Sequence, residues 1–170
     1  GNLLDMTRLE AGAQTVRYEP YDVQDIVGTA LERLSSRLMD RDVKATIPSD
    51  LPQVSADLVL VVQALVNVVD NAIKYSPPES PIVISASRAD NEVAIAVTDR
   101  GAGVHQEDLG RIFDKFYRVH RPDNVSGTGL GLSIVKHLML AHGGRMEIES
   151  RPGRGTTVSL CFPLNGPVKA

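Results

Sequence analysis

The chain has 170 residues, 42% of them hydrophobic and 23% charged, which is ordinary for a soluble globular protein and enough for one domain with a proper core. A net charge of −3 and an aromatic content of 4%, with no Trp, leave no electrostatic or stacking case for nucleic acid or an acidic membrane surface. The single cysteine, Cys161, excludes an intrachain disulfide and a cysteine-based zinc cluster, and its apolar setting marks it as a small core residue.

No stretch reads as the run of about 18–20 apolar residues that a membrane helix needs. The start, Gly1-Asn2-Leu3-Leu4-Asp5-Met6, has no basic region or signal core, and reads as the interior of a longer polypeptide. Leu3, Leu4, Met6 and Leu9 have helical spacing, so 3–11 is expected to be the tail of a helix stopped at Gly12. Val16 to Tyr21 alternates and carries Pro20, which suits a short edge strand. Asp22 is placed to cap a helix running to about Met39. Val43 to Ile47 reads as a strand closed by Pro48.

Asp57 is placed to cap a long helix ending near Tyr75, before Pro77, Pro78 and Pro81. Strands follow at 82–87 and 93–98, turned at Asp90-Asn91. A long irregular stretch from Gly101 to Gly127, with a helical piece near 106–113, has the size of a functional lid. Then come a helix from Leu130 to about Ala141, stopped by Gly143-Gly144, and strands at 145–150 and 156–163 turned at Pro152-Gly153-Arg154-Gly155. The expected fold class is α+β, a two-layer sandwich of a mixed, mostly antiparallel sheet against helices.

Four patches carry chemistry. Asn67, Asn71, Lys74 and Tyr75 follow one another at helical spacing and border one face. Neutral amide oxygens suit a magnesium ion held mainly by phosphates and water, and Lys74 suits phosphate charge. A plain solvated helix face is the competing reading. Asp99 ends a strand and is followed by Gly101 and Gly103; the carboxylate suits an adenine amine, and the glycines a close approach. An ordinary turn competes. Gly127-Thr128-Gly129-Leu130-Gly131 opens a helix, where free amides bind phosphate. The pattern is neither a Walker A loop nor a dinucleotide fingerprint, and a glycine hinge competes. Phe113 and Phe116 suit a lid anchor, with Lys115 and Arg118 in reach of phosphates; a small aromatic cluster competes.

In their order these patches resemble the N, G1, F and G2 boxes of the catalytic, ATP-binding domain of bacterial sensor histidine kinases. The resemblance covers essentially the whole chain and implies the Bergerat-type fold shared with Hsp90, gyrase B and MutL. It divides the chain into 1–13, the end of an upstream dimerisation and phosphoacceptor hairpin, and 14–170, the catalytic domain, with a lid at about 101–127. It implies that Asn71 and Asn67 hold Mg²⁺, that Lys74 and Arg118 contact phosphate, and that Tyr75 lines the pocket. It further implies that Asp99 binds adenine beside Gly101 and Gly103, with Lys115 in the lid. Gly127, Thr128, Gly129, Leu130 and Gly131 would wrap the phosphates of ATP. Asp99-Arg100-Gly101-Ala102 departs from the family's common Asp-Asn-Gly-Pro. Leu3-Leu4-Asp5-Met6-Thr7-Arg8-Leu9 and Ile112-Phe113-Asp114-Lys115-Phe116 resemble the potassium-responsive Kdp-type kinases.

Related ATPases of this fold usually carry Glu at position 67, a base for water. Asn67 cannot take a proton in that way, which favours transfer to a protein histidine over hydrolysis. None of His105, His120, His137 and His142 sits in the family's acceptor context. His137 and His142 are expected to pack or cap rather than bind metal. The implied partners are the chain's own hairpin in a full-length homodimer and a response regulator, with no nucleic acid and no direct membrane contact. The implied setting is a cytoplasmic domain of an inner-membrane sensor. A hydrolytic ATP-gated clamp and a non-catalytic nucleotide-sensing module are the rival readings.

Overall fold

The structure, a computed structural model, describes residues 16–103 and 131–164. The expected helix tail at 3–11, the lid with Lys115 and Arg118, Gly127 to Leu130, His105 and His120 lie outside the described residues. Strand β1 (Glu19–Tyr21) leads into helix α1 (Val23–Arg33) and a short α2 (Ser35–Leu38). Strands β2 (Val43–Thr46) and β3 (Val54–Ala56) precede the long α3 (Leu58–Tyr75). The hairpin β4 (Ile82–Ala89) and β5 (Glu92–Asp99) follows. Helix α4 (Gly131–Ala141) and the hairpin β6 (Arg145–Ser150) and β7 (Thr156–Pro163) complete the described fold.

The main sheet has the order β2-β4-β5-β7-β6, parallel only between β2 and β4. Alternation decides its inner face. Ile82, Ile84, Ile95, Val97, Val158, Leu160 and Phe162 all point into the core. Ile26, Leu65, Ile134, Leu138 and Met139 meet them from the helices. The α+β sandwich expected from the sequence is therefore the one observed. β1 and β3 form a separate two-stranded ribbon. Asp90 turns the β4–β5 hairpin at φ 51°, a left-handed conformation that Asp tolerates.

Helix α3 sits at the centre. Its many valines are mediocre helix formers, so burial holds it rather than propensity. Leu60, Val61, Leu65, Val68 and Val69 are all buried, each contributing about 1.5–3 kcal/mol. Asp57 caps it by accepting from the Leu60 amide. At 18 residues it is long and apolar enough to cross a membrane by length and composition, contrary to the expectation that no stretch would be. Here half of it is buried in the core.

Three further points differ from the sequence expectations. The helix expected to run to Met39 breaks at Leu34, at φ −101° and ψ 9°. Ser35 and Ser36 follow, whose hydroxyls compete for backbone bonds. Asp22 has the backbone of an N-cap but makes no side-chain cap bond. β3 was not anticipated, because three residues between Pro52 and a helix carry too little periodicity.

His142 packs and caps, as expected. It is 1% exposed, and its ring meets Tyr18 and Phe162 edge-on. Nδ1 lies 2.7 Å from the Leu138 carbonyl, and Nε2 accepts from the Asp57 amide at 3.0 Å. A carbonyl only accepts, so the proton is on Nδ1 and the ring is neutral. Burial pushes its pKa below the ordinary 6.5, against the smaller opposing effects of the Leu138 carbonyl and Asp57. Between the two values the unfolded chain binds more protons. His142 therefore supports the fold fully above about pH 7, and that support falls as pH drops through 6.5, by at most about 1.4 kcal/mol per pH unit. Urea unfolding at pH 7.5 and 5.5 checks this. A His142→Gln variant should lose less stability between the two; an equal loss refutes it.

Candidate active site

Three elements converge on one end of the sheet. Helix α3 brings Asn67, Asn71, Lys74 and Tyr75. The end of β5 brings Asp99 and Gly101. The first turn of α4 brings Gly131. The Asn71 Oδ1 lies 3.8 Å from the point where a Cβ on Gly131 would sit. The asparagine face of α3 thus meets the glycine start of α4, whose N-terminal amides favour an anion.

Asn67 is 7% exposed, and a chain of hydrogen bonds fixes its amide. Arg33 Nη2 donates to Gln63 Oε1 at 3.3 Å, and Gln63 Nε2 donates to Asn67 Oδ1 at 3.1 Å. Arginine cannot accept, so it orients the whole relay. Among the described residues the buried Asn67 Nδ2 is left without a hydrogen-bond partner. An orphaned buried donor costs about 1–3 kcal/mol, and it is a group that a phosphate oxygen or a bound water satisfies.

Lys74 Nζ lies 3.1 Å from Asp70 Oδ2, and Arg37 pairs with the other oxygen of Asp70. The sequence reading missed Asp70, Arg37 and Gln63. Asp70 and Lys74 stand at helical i,i+4 spacing, a signal the sequence carried. Arg33 and Arg37 come from two other elements, α1 and α2, and left no local trace.

Asp99 follows the inner-face alternation of β5, opposite Thr156 of β7. Its Oδ1 accepts from the Gly101 amide at 2.7 Å. A Cβ on Gly101 would stand 2.2 Å from the Tyr75 carbonyl oxygen. This glycine joins the end of α3 to the end of β5. At Gly103, φ is +77° and a Cβ would meet the Arg151 carbonyl oxygen at 1.9 Å. Gly153 donates its amide to the Ala102 carbonyl, and a Cβ on Gly155 would meet the Asp99 carbonyl oxygen at 2.1 Å. The 151–155 turn thus clamps the 99–103 turn from behind. The protein's own backbone lies where a side chain at Gly101 or Gly103 would sit, so both positions require glycine.

Among the described residues no group of three or more His, Cys, Asp or Glu is placed to hold a metal. His137 places its Nδ1 2.8 Å from the Ser133 carbonyl, one turn back in its own helix.

A helix carrying amides and a lysine, a glycine-started helix beside those amides and a carboxylate at a strand end define a nucleotide-binding module of the Bergerat kind. The chain belongs to the histidine kinase-, DNA gyrase B- and HSP90-like ATPase family, whose model matches residues 56–166. The sensor-like histidine kinase SenX3 of Mycobacterium tuberculosis is 39% identical over 165 residues, 95% of this chain and 40% of SenX3. The sensor protein KdpD of Clostridium acetobutylicum is 32% identical over 164 residues, 95% of this chain and 18% of that protein. The structure of full-length ShkA in complex with AMPPNP matches with a TM-score of 0.82 and 29% identity, over 99% of this chain and 35% of ShkA. The chain thus spans well under half the length of these relatives. A Kdp-type relative is among them, but SenX3 is nearer in sequence.

Proposed function

We propose that this chain is the nucleotide-binding, catalytic half of a sensor histidine autokinase. It binds ATP with Mg²⁺, and the γ-phosphoryl group passes to a histidine on a helical hairpin just upstream. The observation that carries this is the buried, oriented amide of Asn67 where a hydrolytic relative needs a base. The one carboxylate nearby on α3, Asp70, is engaged by Lys74 and Arg37. ShkA, a relative, binds AMPPNP.

Each residue has a task in that reading. Asp99 accepts from the adenine amine while the Gly101 amide holds its other side. Asn67 donates to a phosphate oxygen or a water on the metal, rather than ligating the metal itself. Asn71 Oδ1, a neutral oxygen beside Gly131, is the group that would hold magnesium. The absence of an acidic cluster among the described residues fits an ion carried mainly by phosphates and water. Magnesium, when bound, supplies neutralisation of phosphate charge. Lys74 and the α4 N-terminus add to it. Arg118, Lys115 and the Gly127–Leu130 segment are proposed to close over the phosphates. The bond from the bridging oxygen to the γ-phosphorus breaks, a phosphorus–nitrogen bond forms, and ADP leaves. Positioning and charge do the catalysis. The proposal extends to residues 1–13 as the hairpin's end, a full-length homodimer, a response regulator as acceptor, and a cytoplasmic location beneath an inner-membrane sensor.

The test mixes this chain with its upstream hairpin and γ-labelled ATP. Acid-labile, base-stable label should appear on the hairpin. Acid-stable label, or rapid release of free phosphate, overturns the proposal and favours the clamp.

A further inference from the structure

We propose that Asp70 tethers Lys74 away from the nucleotide's phosphates, and that Arg37 enables release by keeping the Asp70 carboxylate paired. The inference rests on Lys74 being a phosphate ligand, as proposed above.

The helix geometry gives the direction. At about 100° per residue, Asn71 lies roughly 40° to one side of Asn67, while Asp70 lies roughly 60° to the other. Asn71 is on the side of Gly131, where phosphate is expected. Asp70 is on the side of α1 and α2, where Arg33 reaches Gln63 and Arg37 reaches Asp70. Lys74 lies between the two directions. In this structure its ammonium is paired with Asp70, 3.1 Å away, on the side opposite Asn71. To reach a phosphate it must leave that carboxylate.

Arg37 decides how much leaving costs. The Asp70 side chain is only 20% exposed, so a lone charge there loses much of its hydration. With Arg37 on Oδ1, Asp70 stays paired when Lys74 goes. Without Arg37, the departure of Lys74 strands a mostly buried carboxylate. That carboxylate also repels the incoming phosphates. Asp70 therefore opposes phosphate binding, and Arg37 relieves the opposition. Both are positioning residues that act through Lys74.

The experiment is calorimetry with Mg-ATP and with adenosine, at low and physiological salt, on the wild type, Asp70→Asn, Arg37→Gln and the double variant. Asp70→Asn should tighten ATP roughly threefold to tenfold, and Arg37→Gln should weaken it by a similar factor, as partly screened ion pairs do. Adenosine affinity should not move, because it carries no phosphate. In the double variant Arg37→Gln should have no further effect, since its partner is gone. The inference is overturned if Asp70→Asn weakens ATP, if adenosine shifts in step, or if the two effects simply add. Thermal unfolding of each variant separates loss of fold, and Asp70→Ser is a second uncharged variant should the asparagine prove unstable. A folded wild type that binds no Mg-ATP overturns the parent reading, and this inference with it.

Discussion

Replacing Asp99 by Asn should cost this chain on the order of 100-fold in affinity for ATP and for adenosine alike. The reason lies in what each oxygen or nitrogen faces. In the wild type Oδ1 accepts from the Gly101 amide at 2.7 Å. Asn keeps one carbonyl oxygen, and the Gly101 amide claims it. The other end then presents an N–H group toward the adenine amine, so two donors meet in a desolvated seat. Mispaired buried polar groups cost about 1–3 kcal/mol each, more where a charge is lost, which corresponds to roughly tenfold to several hundredfold. Because the Gly101 bond survives, the fold should survive too, with an unfolding midpoint within a few degrees of wild type. Equal losses for ATP and adenosine place the defect at the base rather than the phosphates. Unchanged adenosine affinity would remove Asp99 from the base site and leave the proposed orientation of the nucleotide without its anchor.

The sequence carried the part of this site that lies within single elements. Asn67, Asn71 and Lys74 share a face because the helical period is local, and strands β6 and β7 could be bounded from alternation and turn residues alone. What escaped it was whatever depends on two elements meeting. The parallel pairing of β2 with β4 has no signature in either strand. The amide of Asn67 is oriented by Arg33, 34 positions earlier in sequence (67 − 33), through Gln63. Gly101 and Gly103 were legible as necessary glycines, but the backbone packed against them was not. They read as openings for a base, and the structure adds that the Tyr75 and Arg151 carbonyls pack against them. The same limit explains Asp70: its spacing to Lys74 was visible, yet its tie to Arg37 joins two separate elements.

The packing at Gly101 yields a second strong expectation. Gly101→Ala should destabilise the fold and the site together. The added methyl would sit 2.2 Å from the Tyr75 carbonyl oxygen and 2.9 Å from Asp99 Oδ1. Neither moves without loss. The first is backbone at the last residue of α3, and the second is the oxygen held by the Gly101 amide, on the carboxylate expected to hold adenine. To make room, the end of α3 must move from β5, or the Asp99 carboxylate must rotate and lose its bond to the Gly101 amide. Forcing an atom into such a packed position typically costs about 1–3 kcal/mol, occasionally more. Urea unfolding should register that loss, and adenosine affinity should fall with it. Gly28→Ala is the contrasting substitution. Gly28 lies within α1, and its Cβ would meet nothing within 4 Å, so alanine there should stabilise by about 0.5–1 kcal/mol through helix propensity and leave nucleotide affinity unchanged. If Gly101→Ala proved as harmless as Gly28→Ala, the junction of α3 with β5 would not be the rigid seat described here.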